Sequence, residues 1–117
     1  MGKIVINGRI PSKKNSTVAM ARGKRIFHFA NSSYRTWNKD AILQLVKQNK
    51  FIESKRIELH FYFPDNRKTD LTNKAESVMD TLVDGGCLHD DNCCEVSELV
   101  LKYEGVDKVN PRCEIVW

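Results

Sequence analysis

Hydrophobic and polar positions alternate most clearly over Arg56–Phe63. Ile57, Leu59, Phe61 and Phe63 fall on one face, and Glu58, His60 and Tyr62 on the other. A period of two predicts a half-buried β-strand, and Pro64 stops it. Shorter extended segments are expected at Lys3–Ile6, Thr17–Met20, Arg25–Phe29, Val96–Tyr103 and Arg112–Trp117. The second and third are joined by Ala21-Arg22-Gly23-Lys24, a turn sequence. In the last, Cys113, Ile115 and Trp117 share a face. Gly8 to Ser12 break the first strand, and Lys13-Lys14-Asn15-Ser16 continue as a polar loop.

Two stretches switch to helical spacing. The first is capped by Asn31 or Ser32, carries Trp37, Ile42, Leu45 and Val46 with Leu43 beside them, and ends near Asn49-Lys50. The second runs from Leu71 to Val83 with Leu71, Ala75, Val78, Met79 and Leu82 as its apolar stripe, ended by Gly85-Gly86. Residues 1–117 therefore read as one small α+β domain, two main helices on a mixed or antiparallel sheet.

Composition narrows the function classes. With 117 residues, 41% hydrophobic and 29% charged, the chain is globular and too short for a multidomain enzyme or a long repeat array. No apolar run approaches the ~18 residues of a membrane span, and Met1 to Val5 do not open a signal peptide. A cytoplasmic protein with no membrane partner is expected. Cys87, Cys93, Cys94 and Cys113 include no CxxC pair, so buried or half-buried thiols in a reducing cytoplasm are expected. His28, His60 and His89 form no local metal motif.

The net charge of +4 conceals an asymmetry. Residues 1–56 carry thirteen Lys/Arg against Asp40 and Glu53, a local charge of +11; residues 57–117 carry six against thirteen acids, a local charge of −7. A basic half points to a polyanion. Arg9, Lys13, Lys14, Arg22, Lys24, Arg25, Arg67 and Lys68 are the candidate contacts to a nucleic-acid backbone, with Asn15 in the basic loop as a further one.

The acids gather around the second helix: Asp70 before it, Glu76, Asp80 and Asp84 along it, and Asp90-Asp91 at the entry to the next strand. At ~100° per residue, Thr72 and Glu76 share one flank of the helix, off the apolar stripe. Three segments can thus bring carboxylates together. Phosphodiester hydrolysis needs an activated water and neutralisation of the charge that grows on phosphorus. Mg²⁺ on carboxylate oxygens supplies both, with Mn²⁺ able to substitute. Plainer readings stand beside this one: Asp70 as a helix cap, Asp80 and Asp84 as solvated face, Asp90-Asp91-Asn92 as a turn, the basic patch as solubilising surface.

The run Arg67-Lys68-Thr69-Asp70-Leu71-Thr72-Asn73, then Asp80-Thr81-Leu82-Val83-Asp84-Gly85-Gly86, then Asp90-Asp91, resembles the RusA family of Holliday junction resolvases. Gly8-x-x-Pro11 before Lys13-Lys14-Asn15, Lys102, and the closing strand Arg112 to Val116 extend the likeness over nearly the whole chain. The resemblance implies a homodimer that binds four-way DNA junctions and makes paired, symmetric, Mg²⁺-dependent nicks with 5′-phosphate and 3′-hydroxyl ends. It places the family's carboxylates on Asp70 and Asp91, with Asp90 adjacent. Two positions depart from the pattern: Thr72 stands where the family has an aspartate, and Glu76 where it has its catalytic lysine. One reading has Glu76 replace the missing carboxylate and Lys74, or a lysine of the 13–14 loop, replace the cation, with Thr72, Asn73 and Asp80 in supporting positions. The alternative is a protein that binds junctions without cutting them.

Overall fold

The computed structural model describes residues 2–12, 17–22, 25–30 and 32–117, with the backbone alone for residues 17–22 and 25–30. Elements follow the order β1 (Lys3–Asn7), β2 (Thr17–Arg22), β3 (Arg25–Ala30), α1 (Ser32–Gln48), β4 (Arg56–Phe63), α2 (Leu71–Asp84), β5 (Glu98–Val106) and β6 (Arg112–Val116). A four-stranded sheet has the order β1-β6-β4-β5, and β2 and β3 form a separate antiparallel pair from Thr17↔Ala30 to Arg22↔Arg25. β1 with β6 and β6 with β4 are antiparallel, whereas β4 and β5 are parallel, so the sheet is mixed. Parallel neighbours need a crossover, and α2 provides it. The chain is an α+β domain.

Alternation along β4 builds the core. Ile57, Leu59 and Phe61 are fully buried and meet Ile4 and Ile6 of β1 and Cys113 and Ile115 of β6 on the same face. Ala41 and Leu45 of α1 and Ala75, Val78, Met79 and Leu82 of α2 cover that face. The helix stripe on α2 is as expected, but the one on α1 is rotated. Tyr34, Ala41 and Leu45 are buried, while Leu43 and Val46 are 62% and 61% exposed. Positions 41 and 45 lie one turn apart, which turns 43 to the opposite side.

Three polar side chains fix the helices. Thr81, fully buried on α2, donates its hydroxyl to Asn38 Oδ1 on α1 at 2.6 Å. Gln44 and Gln48 of α1 each bond both backbone groups of a β1 residue: Gln48 with Val5 at 2.9 and 2.7 Å, Gln44 with Asn7 at 2.7 and 3.2 Å. Each amide stands in for a missing neighbouring strand and closes that sheet edge. Where α2 ends, a Cβ added to Gly85 would lie 2.8 Å from Leu45 Cδ1, so a glycine lets the helices meet there.

Several boundaries differ from expectation: β2 runs on to Arg22, into the expected turn, and β5 shifts at both ends. β5 begins at Glu98, not Val96, and runs on through Gly105 to Val106. Asp90-Asp91 sit in the loop before it, as do Cys93 and Cys94, which are exposed where buried or half-buried thiols are expected, while Cys87 and Cys113 are buried. The separating turn is held by Asn92, whose Oδ1 accepts the N–H groups of Cys94 and Glu95 at 2.9 and 3.2 Å. Such side-chain turns compete with strand pairing, which the apolar pattern from Val96 does not register.

Candidate active site

The site is organised by the N-terminal half of α2. Asp70 occupies the N-cap in extended conformation, yet its carboxylate makes no capping hydrogen bond. Asn73 Nδ2 approaches Asp70 Oδ2 at 3.5 Å, a weak contact, and the carboxylate stays exposed. One turn along, Thr72 and Glu76 open onto a groove of about 380 Å³ that Asp91 enters from the α2–β5 loop. Met79, Val96 and Leu99 are among its apolar walls. Glu76 and Asp91 are thereby brought to one groove, and Asp70 stands at the head of the same helix outside its lining.

Asp90 and Asp91 divide their roles. Asp90 Oδ1 accepts the Asp91 N–H at 2.7 Å and Oδ2 accepts the Asn92 amide at 2.9 Å. Those bonds, the backbone one foremost, hold the Asp90 carboxyl below its ordinary range. Asp90 thus shapes the turn and Asp91 is delivered to the groove. Among the described residues, no three His, Cys, Asp or Glu side chains lie together closely enough to enclose a metal ion.

Lys74 lies on another flank of α2. Its ammonium donates to the Ile10 carbonyl at 2.7 Å, and Ser77 donates to the Pro11 carbonyl at 2.7 Å. Two side chains of α2 therefore hold the segment after β1. Burial, with Arg9 and Arg67 nearby, lowers the Lys74 pKa from its ordinary value. A smaller cleft of about 180 Å³ runs beside it, with Arg9, Lys68, Thr69 and Lys74 in its lining. Asp65 anchors that cleft: it pairs with Arg9, lies 3.7 Å from Arg67 and accepts the Arg67 N–H at 3.1 Å. The structure thus has two openings on either side of one helix start, one acidic and one basic.

The remaining candidates divide by location. Arg67 is 77% exposed at its side chain, and Lys68 is exposed beside it. Arg22 and Arg25 face each other as the last backbone pair of β2 and β3. Lys13, Lys14, Asn15 and Lys24 lie outside the described residues. Asp80 is partly buried on α2. Sequence reasoning missed the Asp65 anchor and the Lys74–Ile10 and Ser77–Pro11 ties. The first had a signal, Pro64-Asp65-Asn66-Arg67, in which an aspartate commonly accepts the N–H two residues on. The ties had none, because the two segments meet only in three dimensions.

A family model described as Endodeoxyribonuclease RusA matches residues 7–116. The chain belongs to the RusA endodeoxyribonuclease family. Among curated proteins no sequence matches at a significant level. Membership implies endodeoxyribonuclease activity and the resolution of four-way DNA junctions. The two departures at α2 now have positions. Thr72 and Glu76 line one groove, and Lys74 lines the basic cleft.

Proposed function

We propose that the chain is a divalent-metal-dependent endonuclease, with Mg²⁺ as its ion, that resolves four-way DNA junctions by paired symmetric nicks as a homodimer. The observation that carries this reading is the groove shared by Thr72, Glu76 and Asp91, with the exposed carboxylate of Asp70 at the head of the same helix. Mg²⁺ keeps several waters and is commonly held by one or two carboxylates plus substrate phosphate. A pair of exposed carboxylates fits that pattern better than it fits a closed, all-protein cage. Glu76 and Asp91, with Asp70 and with Asp90 behind Asp91, would hold the ion. When bound, it lowers the pKa of a water and neutralises charge on the phosphoryl oxygens.

The other residues position DNA. Arg9, Arg67 and Lys68 offer charge to phosphates, and Asp65 restrains the first two so that less side-chain freedom is lost on binding. Lys13, Lys14, Asn15, Arg22, Lys24 and Arg25 are assigned to the same task from sequence. Lys74 serves as a half-buried positive charge that also fixes the Ile10 carbonyl. A two-fold dimer matches a two-fold junction and gives one nick per subunit.

A second reading, a junction-binding protein without cleavage, is favoured by the lack of a three-carboxylate cluster among the described residues. A labelled four-way junction separates the two. Wild-type protein should cut it in Mg²⁺ and bind without cutting in EDTA, and Asp91→Asn should lower cleavage by about 100-fold or more while preserving binding. Binding with no cleavage in Mg²⁺ or Mn²⁺ leaves the second reading.

A further inference from the structure

Phe61, Phe63 and Tyr103 form a continuous run of stacked rings. Successive centroids are 5.7 and 5.7 Å apart, with planes inclined by 18° and 25°. The run begins in the core, where Phe61 is fully buried, and ends in solvent at Tyr103, which is 57% exposed. Single exposed aromatics are ordinary. This one forms a wall of a pocket of about 330 Å³, opposite the connection between β4 and α2, with Phe63, Leu71, Arg67, Lys68 and Thr69 in its lining. No carboxylate lines it.

β5 is shaped around this point. Phe61 pairs with Tyr103 and Tyr62 with Gly105, so Glu104 is an extra residue and the ladder shifts. Gly105 takes φ of +115°, a conformation that side chains other than glycine's rarely allow. Bulges bend a strand and re-aim the side chains beside them, often next to functional sites. Here the bulge directly follows Tyr103.

We infer that the shelf of Tyr103 and Phe63 receives an unpaired nucleobase at the branch point of the junction, an inference that rests on the junction-resolving reading above. A base presents a flat apolar face and is tethered to phosphates on either side. The pocket answers both features, with an aromatic floor and a rim carrying Arg67 and Lys68. Arg67, Lys68, Thr69 and Phe63 also line the basic cleft, so the shelf and the proposed phosphate track are continuous. Stacking of bases on aromatic side chains in a basic groove is the general mode of holding unpaired nucleic acid. Opening a pair at a branch point is less demanding than within a continuous duplex, because stacking is already interrupted there.

The test compares a four-way junction with a linear duplex of equal length at one salt concentration, in EDTA, using wild type, Tyr103→Phe and Tyr103→Leu. Tyr103→Phe should keep the junction affinity. Tyr103→Leu, which retains apolar packing on Phe63 without an aromatic face, should weaken junction binding about tenfold and leave duplex binding and its salt dependence unchanged. Cooperative thermal unfolding of both variants confirms folding. Equal junction affinity for wild type and Tyr103→Leu overturns the inference alone. Parallel loss on junction and duplex also overturns it, as does loss of self-association in Tyr103→Leu, which assigns the shelf to a second copy. Wild-type protein with no preference for the junction overturns the functional reading as well.

Discussion

At the scale of single residues, the exchange at positions 72 and 76 carries the most information. The family resemblance leads to an acid being expected at 72 and a base at 76; the chain has Thr72 and Glu76, and both side chains border one groove with Asp91. If Glu76 supplies the carboxylate missing at 72, the charge should be movable back. Glu76→Gln is expected to lower junction cleavage by about 100-fold, and Glu76→Gln with Thr72→Asp should recover a substantial part of it. Single-turnover cleavage at saturating Mg²⁺ measures both, and no recovery in the double variant assigns Glu76 a role tied to its own position. Asp90 and Asp91 show how far neighbours diverge. The same side chain type at consecutive positions shapes a turn in one case and faces the groove in the other.

At the scale of elements, α2 joins the core to the site. Its buried stripe packs on the sheet, its start presents Asp70, and its flanks separate the acidic groove from the basic cleft. The helix is held in register by Thr81, which is fully buried and hydrogen-bonded to Asn38. Thr81→Val keeps the shape but leaves the Asn38 acceptor without that donor, so a loss of about 1–3 kcal/mol is expected from denaturant unfolding. A change below about 0.3 kcal/mol would mean that water replaces the bond without penalty. The helix boundaries were readable because caps and apolar spacing are local signals. The start of β5 was not, because the Asn92 turn competes for the same backbone groups. The buried face of α1 is legible only in part for a related reason: Leu45 and Trp37 meet the core as expected, but Leu43 and Val46 are apolar and exposed, and Ala41 contributes to the core through position rather than size.

At the scale of the molecule, the division into a basic and an acidic half has a second meaning. The outer face of the main sheet consumes many of the acids. Glu58 pairs with Arg56 and lies 3.0 Å from His60 Nε2; Glu98 pairs with Arg56, Glu114 with Lys3 and Arg112, and Asp107 with Arg112. Lys3 and Arg56 come from the basic half, so part of the −7 is offset by neighbours rather than reserved for an ion. Hydrogen bonds from Arg56 and then His60 draw the Glu58 pKa from 4.5 down to about 2, against a smaller opposing effect of desolvation. A carboxyl depressed in the folded state binds fewer protons there than when unfolded. Its stabilisation is therefore complete above about pH 4.5 and is lost as pH falls toward about 2. Thermal unfolding followed across that window should show a shallower acid decline for Glu58→Gln than for wild type, with the two converging at the acid end. Parallel curves would place the acid sensitivity in other carboxyls.

The sequence by itself determined the α+β class, both helices, the central strand and the candidate acids on and around α2. Hydrophobic period and capping are properties of neighbouring residues and survive without a fold. The family motif was legible for the same reason, being largely contiguous from Arg67 to Asp91. Tertiary structure decided what depends on distant segments meeting. It set Glu76 beside Asp91, sent Lys74 to the Ile10 carbonyl, closed the β1 edge with Gln44 and Gln48, and carried the aromatic run from the core to Tyr103. Most of these contacts join segments that lie far apart in the chain, and no local pattern records which partner the folded chain will supply.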